Sequence, residues 1–386
     1  MRYHIAELND SFPPRIDGVA QTVKNYALVL QKKYCDVTVV TPHDVNEQDG
    51  DYPFSVYRYS SVRLGEQIGY RMGIPFSPST LLDLRRRHFD LVHVHAPFAS
   101  SVLASELVLR RETPVVLTYH TKFDVDIQTR LASHAMQQVA TKFVLHNVRQ
   151  ADEVWVVTKA SEESLRAIGF EGACRVMENG TDFAFGQASE DAVAALRAQN
   201  DIPDDCFVFL FVGRMMWYKN LRLTLDALRR VKERGVNFRM LMVGDGFDLP
   251  DIKRYAEETG LADRVICPGP LLDRDQLRVY YTMADLFLFP STYDTSGIVV
   301  KEAAACSCPS LLVRDSCAAE GAVDLQNAFL ADEHADACAE AILAACADDA
   351  RRKAVGKRAG ETLYLSWESA VDRAYKRYTE LIEGKK

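Results

Sequence analysis

The sequence predicts an α/β protein built from two doubly wound parallel sheets, and three observations carry that expectation. Short β-rich runs alternate with segments of helical periodicity along nearly the whole chain. The 386 residues are enough for two domains, each with a full-sized core. A polar break at 180–203, where NGTDFAFG gives way to the helix-like SEDAVAALRAQND and then Pro203, separates the two alternations. The expected division is 1–185, 186–365 and a final helix within 366–386 that is free to cross back onto the first domain. Two such domains leave a cleft lined by loops at the carboxyl ends of their strands, where ligands of this fold class bind.

In the first part the strand candidates are YHIAEL, DVTVV, FSVYRY, FDLVHVH, PVVLTYH and DEVWVV. In the second they are CFVFLFVG, FRMLMVG, DRVICP, ADLFLFP and PSLLV. CFVFLFVG is apolar without alternation, as a central strand buried on both faces must be. Helical spacing falls at 18–33, 98–111, 127–149, 220–234, 273–283, 297–306 and 335–347, with a last helix from Ser366 to Glu383.

Composition narrows the function. Lys and Arg number 46 against 54 Asp and Glu, a net charge of -8, which argues against a protein that holds nucleic acid by neutralising phosphates. The first 180 residues are almost balanced, with 20 basic and 21 acidic side chains, and hold eight of the nine His. That part is the better suited to an anionic partner. Nine scattered Cys fit neither a disulfide framework nor a C-x-x-C metal site, so a reducing cytosol is expected. MRYHIAEL enters a strand without a leader's apolar stretch, and no apolar run reaches about 18 residues. The expectation is a cytoplasmic protein that does not span a membrane, though it can lie on the inner face of one. The fingerprints G-x-G-x-x-G, G-x-x-x-x-G-K-[ST] and G-x-S-x-G are absent. D-x-D pairs at Asp49/Asp51, Asp124/Asp126 and Asp273/Asp275 are no more than the roughly three that chance allows, so no metal site is read from them.

Two segments carry chemistry. FLFPSTYDTSGIVVKEAAACSCP, residues 287–309, runs from a strand through a turn and Asp294 to a helix start at Thr295-Ser296-Gly297 and on to Glu302. Free N–H groups at such a start, with the positive end of the helix dipole, suit a phosphate. The Glu302 carboxylate suits a vicinal diol such as ribose, and Asp294 can accept from sugar hydroxyls. FLFVGRMMWYKNL, residues 209–221, ends a buried strand at Gly213 and delivers Arg214 and Lys219 into one loop. A guanidinium fork and a compact ammonium there can stabilise a leaving diphosphate.

GRMMWYKNL followed by PSTYDTSGIVVKEAAACSCP resembles the G-R-x(4)-K-N and E-x(7)-E signatures of retaining family-4 glycosyltransferases of the GT-B fold. Further matches are PPRIDGVAQTV, LTYHTKFD, RVMENGTDF and VGDG, and the resemblance covers residues 3–346. It implies a metal-independent enzyme without a cofactor, whose substrate is a nucleotide sugar, UDP-glucose before GDP-mannose. Arg214 and Lys219 would hold the donor diphosphate, Glu302 the ribose and Asp294 the hydroxyls of the transferred sugar. Gly18 and the backbone of Ser296, Gly297 and Ile298 would close around phosphates and sugar, with His120 beside the hexose. The sequence departs from the family at Asp294, one methylene shorter than the usual Glu, and at Ser307, where Gly is usual.

Within the family, DGVAQTV and TYHTKFDVDI are most similar to the branch that glucosylates diacylglycerol and related lipids, which would make Asp124 an acceptor-loop acid. Between Ile127 and Ala151 no acid occurs; Arg130, His134, Gln138, Lys142, His146 and Arg149 form one stripe, and Ile127, Leu131, Ala135, Val139 and Phe143 another. Such a face can rest on anionic headgroups or be an ordinary solvated helix face. Arg85-Arg86-Arg87 is a second basic cluster with the look of a helix end. His93 and His95, spaced as metal ligands can be, read as loop or core histidines, with no carboxylate partner evident. Two alternatives stay open: a mannosyltransferase acting on a glycan or polyisoprenyl-linked acceptor, and a nucleotide-sugar-binding protein without transfer.

Overall fold

The structure, a computed structural model, describes residues 2–14, 17–44, 50–63, 71–109, 112–130 and 133–385. It falls into two compact units, Met1–Asn179 with Trp367–Lys386, and Gly180–Ser366.

The first unit carries a seven-stranded sheet of β1 (His4–Leu8), β2 (Asp36–Pro42), β3 (Ser55–Tyr59), β6 (Leu91–Val94), β7 (Val115–Tyr119), β8 (Glu153–Val156) and β9 (Cys174–Val176). The order is β3-β2-β1-β6-β7-β8-β9, with all neighbours parallel. A short antiparallel pair, β4 (Ser61–Arg63) and β5 (Arg71–Gly73), stands apart from it. The chain starts in the middle and works outward both ways, so its topological switch lies between β1 and β6. Ile5, Ala6, Val39, Val40, Leu91, Val92, Val116 and Leu117 are all buried, which is what a parallel sheet covered on both faces requires. The C-terminal helix Trp367–Gly384 belongs to this unit and buries Trp367, Val371 and Tyr378.

The second unit repeats the plan with six strands, β10 (Phe207–Val212), β11 (Phe238–Val243), β12 (Val265–Gly269), β13 (Leu286–Phe289), β14 (Ser310–Val313) and β15 (Phe329–Ala331). The order is β12-β11-β10-β13-β14-β15, parallel throughout. Its switch lies between β10 and β13, so the loops that leave these two strands are the ones placed for ligand binding. The helix Leu221–Glu233 buries Leu221, Leu225, Leu228 and Val231, a 3.6-period stripe turned to the core.

One expected helix is differently built. Instead of a single helix over 127–149 there are two, Phe123–Arg130 and His134–Val148. Only the second half of the later helix is packed, through Val144, Leu145, Asn147 and Val148. The expected stripes are interrupted at Ser133, the extended N-cap of the second helix. Leu131 lies outside the described residues, as does the side chain of Arg130. Arg85 closes the helix Pro78–Arg85 and donates to Glu106 O, and Arg87 lies over the Tyr57 ring, so this basic cluster is a helix end.

Candidate active site

In the second unit, the switch-point loops meet through side chains. Lys219, buried at the end of the short 3-10 turn Trp217–Lys219, forms an ion pair with Asp294 Oδ1 from the loop after β13. The other Asp294 oxygen, Oδ2, is buried and has no hydrogen-bond partner. A buried carboxylate oxygen left unmatched is an acceptor waiting for a donor. Arg214, on the same loop as Lys219, is exposed.

The local backbone explains why these loops come together. Asn220 sits at φ 59°, a left-handed conformation that Asn tolerates, and its amide donates to Pro290 O at 2.9 Å and to Glu333 Oε1 at 2.6 Å. It thereby ties the end of the β10 loop to the start of the β13 loop. Asp248 accepts from the Trp217 amide at 2.9 Å and fixes the turn from the other side. Gly244, at φ 138°, lies so close to Gly213 O that a Cβ there would stand 2.0 Å from it.

Gly297 caps the helix Ile298–Ala305 at φ 51°, and no side chain occupies the cap. A Cβ on Gly297 would meet Ala318 Cα at 3.0 Å, so both conformation and space call for glycine. The first amides of a helix have no partner within it, and here they follow Asp294 by a few residues. Ser296 and Ile298 are half-buried beside that start.

Glu302 stands apart from the Lys219–Asp294 pair. It is 5% exposed, and its two oxygens accept from Arg274 at 2.6 Å and from Tyr281 Oη at 2.9 Å. Burial raises its carboxyl above the usual range, and Arg274 only partly offsets that. Each oxygen keeps a second lone pair for a further donor. Arg274 also pairs with Asp182 and lies over the Phe183 ring. Neither Arg274 nor Tyr281 carries a sequence signal, since they reach Glu302 from a helix that precedes it by 21 to 28 residues.

In the first unit, Gly18 opens the helix Gly18–Lys33 behind its N-cap Asp17, which accepts from Ala20 N at 2.7 Å. A Cβ at Gly18 would meet nothing within 4 Å, so packing within the chain does not demand glycine there. His120, just past β7, is 7% exposed, and its Nε2 lies 2.9 Å from His95 Nδ1. Burial, reinforced by His95 and His93, holds the His120 imidazole well below the usual range, so it is neutral. Asp124, in the helix Phe123–Arg130, accepts from Ser164 Oγ.

Two acids of this unit escaped sequence reasoning. Glu7, on β1, is the carboxylate partner that His93 and His95 had lacked. The parallel register sets Glu7 opposite His93, a pairing between residues 86 apart that no spacing rule contains. Among the described residues, Glu7, His93 and His95 form the one group whose metal-ligand-type atoms all lie within 4.8 Å of one another. Hydrogen bonds among them and to Thr118 and Tyr378 account for that closeness. Asp10, in the loop after β1, accepts from Ser100 N and Oγ at 3.0 Å, while its Oδ2 is buried and unpartnered. Burial pushes its carboxyl up to about 6.

Residues 16–185 match the family model Glycosyltransferase Family 4, and residues 193–362 match Glycosyl transferases group 1. The chain belongs to the family-4 glycosyltransferases. It is 24% identical over 339 residues to alpha-monoglucosyldiacylglycerol synthase of Acholeplasma laidlawii, across 85% of this chain and 82% of that one. It is 26% identical to the GDP-mannose-dependent alpha-mannosyltransferase of Corynebacterium glutamicum, across 98% of this chain and 89% of the relative. Among solved structures, Anabaena HepE in complex with UDP and glucose superposes with a TM-score of 0.77 at 19% identity, covering 98% of this chain and all of that one. The fold of this glycosyltransferase is therefore GT-B, two Rossmann-like parallel-sheet domains. No helix among its described residues is long and apolar enough to cross a membrane.

Proposed function

We propose that this glycosyltransferase moves glucose from UDP-glucose to the hydroxyl of a lipid such as diacylglycerol, with retention of configuration at the anomeric carbon. The observation that carries the donor half is the Lys219–Asp294 ion pair, with Lys219 buried and the Asp294 Oδ2 unmatched, next to a helix start at Gly297 that no side chain caps. A nucleotide sugar offers hydroxyls to the unmatched carboxylate oxygen, and its diphosphate suits the cations and the helix start. Lys219 and Arg214 take the charge that grows on the diphosphate as the C1–O bond breaks, a task that a metal would otherwise share. Asp294 accepts from hydroxyls of the sugar, Glu302 from the ribose diol, and the Ser296, Gly297 and Ile298 amides face phosphate. Gly18 lets backbone approach the donor, His120 contacts the hexose, and Asp124 orients the acceptor hydroxyl whose oxygen replaces the diphosphate at C1.

The lipid acceptor is supported by the helix His134–Val148. Met136, Val139 and Phe143 are 58%, 69% and 44% exposed on it, beside exposed His134, Lys142, His146 and Arg149. An apolar face left largely in solvent, beside Lys142 and Arg149 and free of acids, suits the headgroup boundary of an anionic membrane. The protein would then work as a peripheral enzyme on the cytoplasmic face. A second reading, mannosyl transfer from GDP-mannose to a glycan or polyisoprenyl-linked acceptor, draws on the Corynebacterium relative, which aligns with nearly the whole chain. A screen of UDP-glucose and GDP-mannose against diacylglycerol and soluble sugars, with products identified by mass, separates the two. Binding of donor without any product would leave a nucleotide-sugar-binding protein.

A further inference from the structure

The carboxyl ends of three neighbouring strands converge on one buried polar chain. Glu7 lies on β1, His93 and His95 on β6 and just beyond it, and His120 just beyond β7. Glu7, His93 and His95 are at most 2% exposed. Glu7 Oε2 lies 2.7 Å from His95 Nε2, and His95 Nδ1 lies 2.9 Å from His120 Nε2, with the two imidazoles stacked at 19°. His93 Nδ1 lies 3.2 Å from the same oxygen, and Tyr378 Oη donates to the other, Oε1, at 3.4 Å. The His93 ring is held in turn by Thr118 and Tyr378.

We infer that Glu7 and His95 are positioning residues that hold His120 as a single neutral tautomer, with its proton on Nε2 and a bare, accepting Nδ1. An ionised carboxylate only accepts, so His95 Nε2 must carry a proton. A neutral imidazole has one proton, so His95 Nδ1 is bare and can only accept, and His120 Nε2 must donate to it. Whatever hydrogen bond Nδ1 of His120 makes, it then makes as an acceptor. The charge states agree with this direction. Burial alone would raise the Glu7 carboxyl, yet its interaction with His93 and the hydrogen bond from His95 bring it down to about 2, so it is ionised at neutral pH. Burial depresses the His95 imidazole to about 4. The other titratable groups against the cluster are the phenols of Tyr26 and Tyr378 and the thiol of Cys35, all raised by burial and so uncharged.

On the proposed function, on which this step rests, the consequence is chemical. Positive charge develops at the anomeric carbon as a glycosyl bond breaks. A neutral His120 that accepts from a sugar hydroxyl adds no opposing charge there, whereas an imidazolium would.

The test is imidazole 15N NMR of protein labelled at histidine, with His120 assigned by its loss in His120→Gln. Wild-type protein at pH 7.5 is expected to show His120 protonated at Nε2 alone. Glu7→Gln removes the obligate acceptor, because an amide can donate or accept, so His120 should populate both tautomers. Its kcat should fall about 10- to 100-fold at unchanged KM, with UDP affinity unaltered, and Glu7→Asp should restore part of the loss. A wild-type spectrum with the proton on Nδ1 or on both nitrogens overturns the inference even if Glu7→Gln fails to fold. So does a folded Glu7→Gln with the wild-type tautomer and kcat. If wild-type protein releases no nucleotide from any nucleotide sugar, the proposed function fails, and the spectrum still decides the tautomer.

Discussion

Lys219 and Asp294, 75 residues apart in sequence, are joined as an ion pair between a buried lysine and a half-buried aspartate at the switch point of the second sheet. On the proposed function, the pair would bring together the donor's two kinds of partner, a cation for phosphate and an acceptor for sugar hydroxyls. Removing either cation of the β10 loop should therefore cost transition-state stabilisation. Lys219→Ala and Arg214→Ala are each expected to lower kcat by about 10²–10³, the usual cost of one preorganised charge-assisted contact. More than half of wild-type turnover in either variant, by nucleotide release, would sink the donor-site assignment.

On the proposed function, Asp294 should separate binding from turnover. Asp294→Asn keeps the shape and loses the charge, so transfer should fall at least about tenfold, while Lys219, released from its partner, holds UDP as tightly as before or more so. Asp294→Glu, the residue usual in the family, should retain more activity than the Asn variant. Calorimetry with UDP beside steady-state kinetics gives the answer, and equal activity in the Asn and Glu variants would remove the role.

Glu302 is held by Arg274 and Tyr281, and that support has a pH signature. The folded carboxyl titrates above its ordinary 4.5, so its burial costs stability as pH rises through and beyond that value. Arg274→Ala should raise it further, making the variant about 1–3 kcal/mol less stable than wild type at neutral pH, with the deficit shrinking towards pH 4. Urea unfolding at pH 7 and pH 4 measures it; a pH-independent deficit contradicts the pairing. Glu302→Ala should also weaken donor binding by about 1.5–3 kcal/mol, and Glu302→Asp by less.

The first unit should be acid-sensitive for the opposite reason. The folded His95 imidazole titrates near 4 rather than 6.5, so protons favour the unfolded chain as pH falls through that window. Glu7, held near 2 rather than 4.5, loses its contribution as pH falls below 4.5. Stability should therefore drop steadily below pH 6.5, and His95→Gln should flatten the upper part of that slope. An unchanged slope between pH 6.5 and 5 would mean that His95 is not the group responsible.

Membrane docking gives an independent test. Lys142→Glu with Arg149→Glu should abolish binding to anionic vesicles, since each basic residue near such a surface contributes about 1 kcal/mol. Wild-type binding should weaken with salt as the Debye length shortens to about 8 Å and below. Val139→Asp should have a similar effect through the apolar face, and nucleotide release from the donor should survive all three changes. Wild-type protein that ignores anionic vesicles at low salt would defeat this part of the account.

Much of the second unit was legible because its chemistry is local. The strand FVFLFV, the glycines, the helix start after Gly297 and the Lys219-Asn220 dipeptide are each set by neighbours in sequence, and the switch point between β10 and β13 brings their loops together. Ser307, a departure from the family's Gly, adopts φ 55°, the backbone state that a glycine there would take without strain. What stayed hidden depends on register and long-range packing. Glu7 meets His93 only because β1 lies beside β6, and Tyr378 arrives from the far end of the chain. Arg274 reads as a surface residue until its helix is laid against Glu302. The division into two helices, with Ser133 extended between them, was hidden for another reason: the sequence periodicity continues across it, while Val139 and Phe143 of the apolar stripe are left in solvent.

The most direct measurement is the product itself. Wild-type protein incubated with UDP-glucose and diacylglycerol in anionic vesicles should release UDP and yield glucosyldiacylglycerol whose anomeric proton shows the small coupling of an α-glucoside, as retention demands. A β-linked product, or no transfer from any nucleotide sugar to lipid or soluble acceptor while UDP still binds, would contradict the account.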